Sequence, residues 1–317
     1  MRPTAFRILP LLLALAGPIV AAPAPLVDPA TEGRINALLA QMTLAEKVGQ
    51  LHQLSSFFDP TGPVLEASNE AALFEKIRNG RVGSMLNVRG VEAVRRLQQL
   101  AVDGSRLHIP MLFGYDVVHG YRTIFPLPLG EAASWNPAAA ERSARIAATE
   151  AAATGIDWTF APMVDICRDA RWGRIMEGAG EDPFLGAAFA AARVRGFQGT
   201  DLRAPDSVAA CVKHFAAYGF AEAGRDYNTV DLSPATLHDV VLPPFRAAIE
   251  AGAATVMTSF NEIAGLPSVA SAQLQREILK GEWQFPGFVV SDWGAIRETL
   301  PHGFAADLRH AAQLSIL

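Results

Sequence analysis

The sequence predicts an α/β protein: a (β/α)8, TIM-barrel-like domain lacking its last strand. Three observations lead there. Short apolar runs alternate with helical patterns along most of the chain, at intervals long enough for parallel crossovers. Polar residues gather where the runs end, at Asp116, Lys213, His214, Asn261 and Asp292, and in a barrel such ends converge on one mouth. No Gly-rich phosphate turn follows an early run, as a doubly wound open sheet would usually require.

The chain opens on a leader. Arg2 and Arg7 precede an apolar stretch, residues 8–20, broken by Pro10 and Pro18 and followed by Ala21 and Ala22. This pattern is a secretory signal over residues 1–22, too short and too interrupted to span a bilayer. The mature protein is expected to be periplasmic or secreted, with no membrane partner. A Pro/Ala-rich linker covers residues 23–33, and the barrel domain occupies residues 34–317. Half the residues are hydrophobic, so a large core is available. The net charge is −5 with no basic run, which excludes a nucleic-acid surface.

The first helix contains Ile35, Leu38 and Leu39. Thr43-Leu-Ala-Glu46 is a capping box that opens a second. Residues 74–78 form a helix stopped at Asn79-Gly80, and residues 83–87 a first strand. Residues 91–102 are helical, with Val91, Val94, Leu97 and Val102 on one face. Residues 110–115 form a second strand and 130–134 a third. Asn136-Pro137 starts an Ala-rich helix that stops at Gly155. Residues 157–161 are the fourth strand, 184–195 a helix and 208–213 the fifth strand. Ser233-Pro234 opens a helix to Gly252, then a strand at 254–259 and a helix at 271–280 follow. The seventh strand, Phe288-Val-Val290, delivers Asp292 and Trp293 at its tip.

Chemistry collects at these tips. A carboxylate can attack an anomeric carbon, and a flat ring can stack on a sugar, so Asp292 beside Trp293 suits sugar chemistry. The same Asp is also an ordinary helix cap, and His119 an ordinary core histidine. A Gly-rich charged loop spans residues 167–183. In it Arg174 offers a planar fork to vicinal hydroxyls, while Glu177, Glu181 and Asp182 are candidates either as acids of a mechanism or, as the reading favoured here, as partners of the loop arginines and caps of the next helix. Lys213 leaves open a Schiff-base aldolase. Cys167 and Cys211 are expected to be unpaired and non-catalytic. No Cys/His cluster has metal spacing, so neither metal nor cofactor is expected.

Lys213-His-Phe215, Arg171-Trp-Gly-Arg174, Gly180-Glu-Asp-Pro183, Met257-Thr-Ser-Phe-Asn261 and Val290-Ser-Asp-Trp293 resemble the signature stretches of glycoside hydrolase family 3. Residues 42–51 resemble its N-terminal helix. The likeness runs from about residue 34 to the end and is nearest to the periplasmic β-glucosidase branch. It implies a retaining, exo-acting enzyme that removes terminal β-linked glucose from oligosaccharides or β-glucosides. Asp292 would be the nucleophile. Asp116, Arg174, Lys213 and His214 would hold the terminal sugar, with Phe260 and Trp293 lining the site. A retaining mechanism needs a second carboxyl roughly 5 Å away to protonate the leaving oxygen. In this branch that acid comes from a second domain, so the chain is expected to be a truncated barrel awaiting it, or an inactive sugar-binding remnant. β-Xylosidases share the motifs. The β-N-acetylhexosaminidases differ: after Phe215 their Pro-Gly-His-Gly pattern is replaced by Ala216-Ala-Tyr-Gly219.

Overall fold

The computed structural model describes residues 28–55 and 70–316. The expected signal segment lies outside them, as do residues 23–27 of the expected linker. Residues 29–33 of that linker are helical instead. Asp28 accepts hydrogen bonds from the Ala30 and Thr31 amides, and Pro29 takes the first helical position of α1 (Pro29–Gln41). Helix α2 (Leu44–Gln50) opens on the predicted capping box, with Thr43 N–H donating to Glu46 Oε2 at 2.8 Å.

Strand and helix then alternate: β1 (Gln53–Ser55), α3 (Glu70–Arg78), β2 (Ser84–Leu86), α4 (Val91–Gly104), β3 (Leu112–Tyr115), α5 (Pro128–Ala132), α6 (Pro137–Ala152), β4 (Trp158–Thr159), α7 (Pro183–Gln198) and β5 (Ala209–Phe215). Next come α8 (Pro234–Thr236), running into a π-helical turn (Leu237–Val241), then α9 (Pro243–Glu250) and β6 (Thr255–Thr258). A two-stranded hairpin, β7 (Glu262–Ile263) with β8 (Leu266–Pro267), precedes a π-helical segment (Gln273–Glu282). Strand β9 (Phe288–Val290), α10 (Ala295–Glu298) and α11 (Leu308–Ile316) close the described chain.

Seven strands form one parallel sheet in the order β1-β2-β3-β4-β5-β6-β9. Period-two alternation divides its side chains into two layers. Met85, Val212 and Val256 join the large core between sheet and helices. Their neighbours Leu86, Cys211 and Met257 join Trp158 and Phe160 in a separate cluster on the other face. That face curls. The Trp158 ring of β4 meets the Phe288 ring of β9 edge-on at 5.3 Å, although two strands separate them in the sheet. A flat sheet spaces strands about 4.8 Å apart, so this contact requires barrel-like curvature. The predicted architecture is therefore present over seven strands.

Two expectations about elements fail. The strand expected at 130–134 is helix α5: Pro128 opens it, and Glu131 and Ala132 are buried on its inner side. Gly, Glu and Ala are poor strand formers, and a buried Glu needs a cation, which Arg193 of α7 supplies. The strand β1 was not predicted, because Gln53, Leu54 and Ser55 are all half-buried and show no alternation. The helix expected from Ser233 to Gly252 is interrupted at Pro243-Pro244, where two residues lack the N–H a continuous helix needs.

Candidate active site

All seven expected site residues lie at or beyond the C-terminal ends of strands, and five of them, Asp116, Arg174, Lys213, His214 and Asp292, form one charged cluster. Lys213 and His214 are consecutive on β5, and a regular strand would send them to opposite faces. The β5–β6 ladder shifts register between Val212 and Phe215, and the irregularity lets both side chains serve one site. Lys213 Nζ donates to Asp116 Oδ1 at 2.9 Å. The lysine is 5% exposed and the aspartate 45%, so the ammonium is held inside and the carboxylate faces the mouth. Burial alone would pull the Lys213 ammonium down, but Asp116, Glu177 and Asp292 more than reverse this, and its pKa is raised.

His214 lies wholly inside. Its Nδ1 stands 2.8 Å from Asp165 Oδ2, and its backbone N–H donates to the same oxygen at 2.9 Å. Its Nε2 points at Asp292 Oδ2, 3.5 Å away. Asp165 follows a run that extends the β4–β5 pairing beyond Thr159. Met163 bridges to Lys213, and Val164 N–H donates to the Lys213 carbonyl at 2.8 Å. Burial pushes the Asp165 carboxyl up to about 7, against the pull of the His214 amide. Burial, with Arg174 and Lys213, holds the His214 imidazolium well below the ordinary histidine range.

Asp292 sits just past β9, its side chain 13% exposed. Oδ1 accepts the Trp293 amide at 2.6 Å, whereas Oδ2 has no hydrogen-bond partner. Burial pushes this carboxyl up to about 6. Lys213, the Trp293 N–H and Arg174 oppose that rise.

Arg174 does not present a free fork. Its Nε and Nη2 grip Glu177 at 2.7 and 3.0 Å, and its guanidinium lies 5.6 Å from the centre of the Tyr218 ring. Asp182 caps α7 by accepting the Leu185 amide at 2.7 Å, as expected for this loop. Phe260 is buried, not open at the mouth. It packs with Tyr227 at 4.5 Å and Tyr218 at 5.8 Å, forming part of the floor. Trp293 is half-buried, and its Nε1 has no partner. His119 meets the Phe125 carbonyl through Nδ1 at 3.0 Å, a structural role. Both cysteines are free and buried.

Sequence reasoning missed Asp165 and Tyr218. Asp165 carried the same signal as its partners, a carboxylate closing an apolar run after a strand. Tyr218 carried none. It becomes the hub of the site only in three dimensions, edge-on to Trp172 at 5.1 Å and to His214 at 5.3 Å. Trp172 in turn donates from Nε1 to Asp226 at 2.8 Å, tying the Arg174 loop to the segment after β5.

A parallel, curled sheet that gathers carboxylates and cations at its strand ends has the arrangement of a barrel-type active site. Residues 43–315 match the glycosyl hydrolase family 3 N-terminal domain, and the chain belongs to that family. It is 41% identical over 292 residues to a periplasmic beta-glucosidase of Salmonella typhimurium, covering 92% of this chain and 37% of that protein. A lysosomal beta glucosidase of Dictyostelium discoideum is 34% identical over 83% of this chain and 35% of its own length. The crystal structure of a beta-glucosidase from Listeria innocua in complex with isofagomine superposes with a TM-score of 0.84. It is 43% identical and covers 90% of this chain and 39% of that one. The chain thus spans little more than a third of these relatives.

Proposed function

We propose that this chain forms the catalytic barrel of a retaining, exo-acting β-glycosidase of β-glucosidase type, exported to the periplasm or beyond the cell. The observation that carries the reading is Asp292: a nearly buried carboxylate at a strand end, with one oxygen unpartnered and two cations, Lys213 and Arg174, favouring its charge. Such a group can attack an anomeric carbon and form a glycosyl ester while the bond to the leaving oxygen breaks. Asp116 turns its acceptors toward the mouth for sugar hydroxyls, with the Lys213 ammonium behind it. Arg174 contributes what Glu177 leaves free, and Phe260 and Trp293 shape the walls. Glucose is favoured because the Listeria innocua relative was also solved with glucose. Export follows from the leader and agrees with the name of the Salmonella relative.

The proton for the leaving oxygen comes from outside this barrel in our reading, because the nearby carboxyls are engaged. Asp116 is paired with Lys213, Glu177 with Arg174, Asp165 with His214 and Asp226 with Trp172. Glu298 is the alternative within the barrel. Its Oε2 is buried without a partner, and burial with Asp292 raises its pKa.

Treating the complete protein with a 2-deoxy-2-fluoro-β-glucosyl fluoride and mapping the labelled peptide tests the reading. Label on Asp292 is expected; label elsewhere, or hydrolysis that inverts the anomeric centre, rejects it. Glu298→Gln is expected to cleave glucosides with poor leaving groups normally. Their selective loss, with dinitrophenyl glucosides spared, would make Glu298 the acid.

A further inference from the structure

The site contains a buried residue, Asp165, for which substrate binding has no use. Its side chain is 1% exposed and that of His214 is 0% exposed. A single oxygen, Oδ2, takes both the ring and the backbone N–H of His214. This double hold fixes the ring plane, and an oxygen that already accepts the backbone N–H places the ring hydrogen at Nδ1. Nε2 is left with a lone pair aimed at Asp292 Oδ2, 3.5 Å away. Neither atom has a hydrogen-bond partner among the described residues. Two facing acceptors with nothing between them repel, and one proton between them removes the repulsion.

We propose that Asp165 is a positioning residue: it aims His214 so that Nε2 and Asp292 Oδ2 enclose a slot for one proton, and the departure of that proton readies Asp292 to act. The inference rests on the reading of Asp292 as nucleophile and extends it to a group that touches no reacting atom. The step is a simple ionisation. The proton goes to solvent, and no bond to carbon forms or breaks in it.

The surrounding charges decide where the proton rests. Lys213 on β5 and Arg174 in the loop after β4 face the pair and oppose a further positive charge on the imidazole. Asp116 beyond β3, Glu177 beside Arg174, Asp226 and Tyr227 after β5, Tyr218, and Glu298 on α10 complete the charged and titratable surroundings. Because burial, with the two cations, disfavours imidazolium, the proton rests on Asp292, with Nε2 accepting. Once it leaves, Lys213 and Arg174 stabilise the carboxylate that remains.

Asp165→Asn keeps an oxygen for both N–H groups. Burial has pushed the Asp165 carboxyl up to about 7, so it is itself protonated where Asp292 titrates, and the acid limb of kcat/KM should stay in place in this variant. Asp165→Ala frees the ring and takes the acceptor Nε2 out of the slot, so it should move the limb down by roughly one unit and lower kcat/KM. An unshifted limb in Asp165→Ala, with a uniform loss of rate, would reduce Asp165 to a packing role and overturn the proposal. A second measurement does not depend on turnover. In long-range 1H–15N spectra of histidine-labelled protein, with His214 assigned from His214→Gln, Nδ1 should carry the hydrogen and Nε2 should be bare at neutral pH. A neutral ring protonated at Nε2 would overturn the proposal even in an active enzyme. If the protein cleaved no glycoside at all, the functional reading would fail, and the ring spectrum alone would decide this one.

Discussion

Burial and charge pull Asp292 in opposite directions, and the balance has a consequence for stability. Its carboxyl titrates near 3.8 in an unfolded chain and is pushed up to about 6 in the fold, chiefly by burial. Below the lower value both states are protonated, and the residue costs nothing. Between the two values only the unfolded chain ionises, so the fold loses stability as pH rises. Above about 6 the loss is complete and constant. Asp292→Asn avoids this loss. It keeps an oxygen for the Trp293 amide and offers a donor to His214 Nε2. Under the proposed function the variant loses roughly 10⁴-fold or more in kcat. It should nevertheless be more stable than the parent at pH 7–8, by on the order of 2–3 kcal/mol at most. Thermal melts from pH 3.5 to 8 check this. The advantage should fade as pH falls toward 4, and a variant less stable at pH 8 would contradict it. At this scale the sequence was legible where a polar residue closed an apolar run, as at Asp116, Lys213 and Asp292, although Asp165 carried that signal and was passed over. It was illegible for Tyr218, whose importance comes from ring contacts spread over 172–260, and for the engagement of Arg174 by Glu177, which depends on the local 3₁₀ turn at Ile175–Glu177.

Elements are held in place at the site by a buried ion pair remote from the chemistry. Arg193 on α7 and Glu131 on α5 are each 8% exposed, and their side chains hydrogen-bond directly. Arg193 Nη1 also donates to the Val118 carbonyl at 3.1 Å, two residues beyond Asp116. Ser143 on α6 donates to the other Glu131 oxygen. One network therefore ties three helices to the loop that presents Asp116. Glu131→Ala would leave a buried guanidinium without its counter-charge, a change that costs about 3–5 kcal/mol in comparable pairs. Urea denaturation should show that loss. Replacing both residues with apolar groups, as in Glu131→Leu/Arg193→Met, should recover much of it. Recovery would identify the penalty as an unpaired charge; continued loss in the double variant would point to packing instead. The sequence reading missed this element for a physical reason. Residues 130–134 show neither helical nor strand periodicity, and α5 owes its placement to a partner 62 residues away. The expected count of seven strands matches the observed count only because the misread segment at 130–134 stands in for β1.

Across the whole molecule, stability should rise toward the middle of the sheet and fall at its two ends. Strand β5 is buried along almost all its length and hydrogen-bonds on both sides. The end strands β1 and β9 each pair with one neighbour. The edges are short, three residues apiece, which limits edge-to-edge pairing, although Phe288 is 48% exposed on β9. The site is thus assembled from unequal parts. Lys213 and His214 stand on the best-supported strand, whereas Asp292 stands two residues past the end of an edge strand. Amide exchange in this 317-residue chain reads the difference directly. Val212 and Val256 should be among the slowest amides, and those of Leu54 and Val290 should exchange roughly 100-fold faster or more, through local opening of the edges. Protection at Val290 equal to that at Val212 would mean that β9 is covered, by another segment or by a second copy. A sedimentation run at two concentrations would tell those apart. If the expected gradient is found, the 3.5 Å separation of Asp292 from His214 is the distance in the site most exposed to fraying. Any segment that came to pair with β9 would then act on the site through strand support.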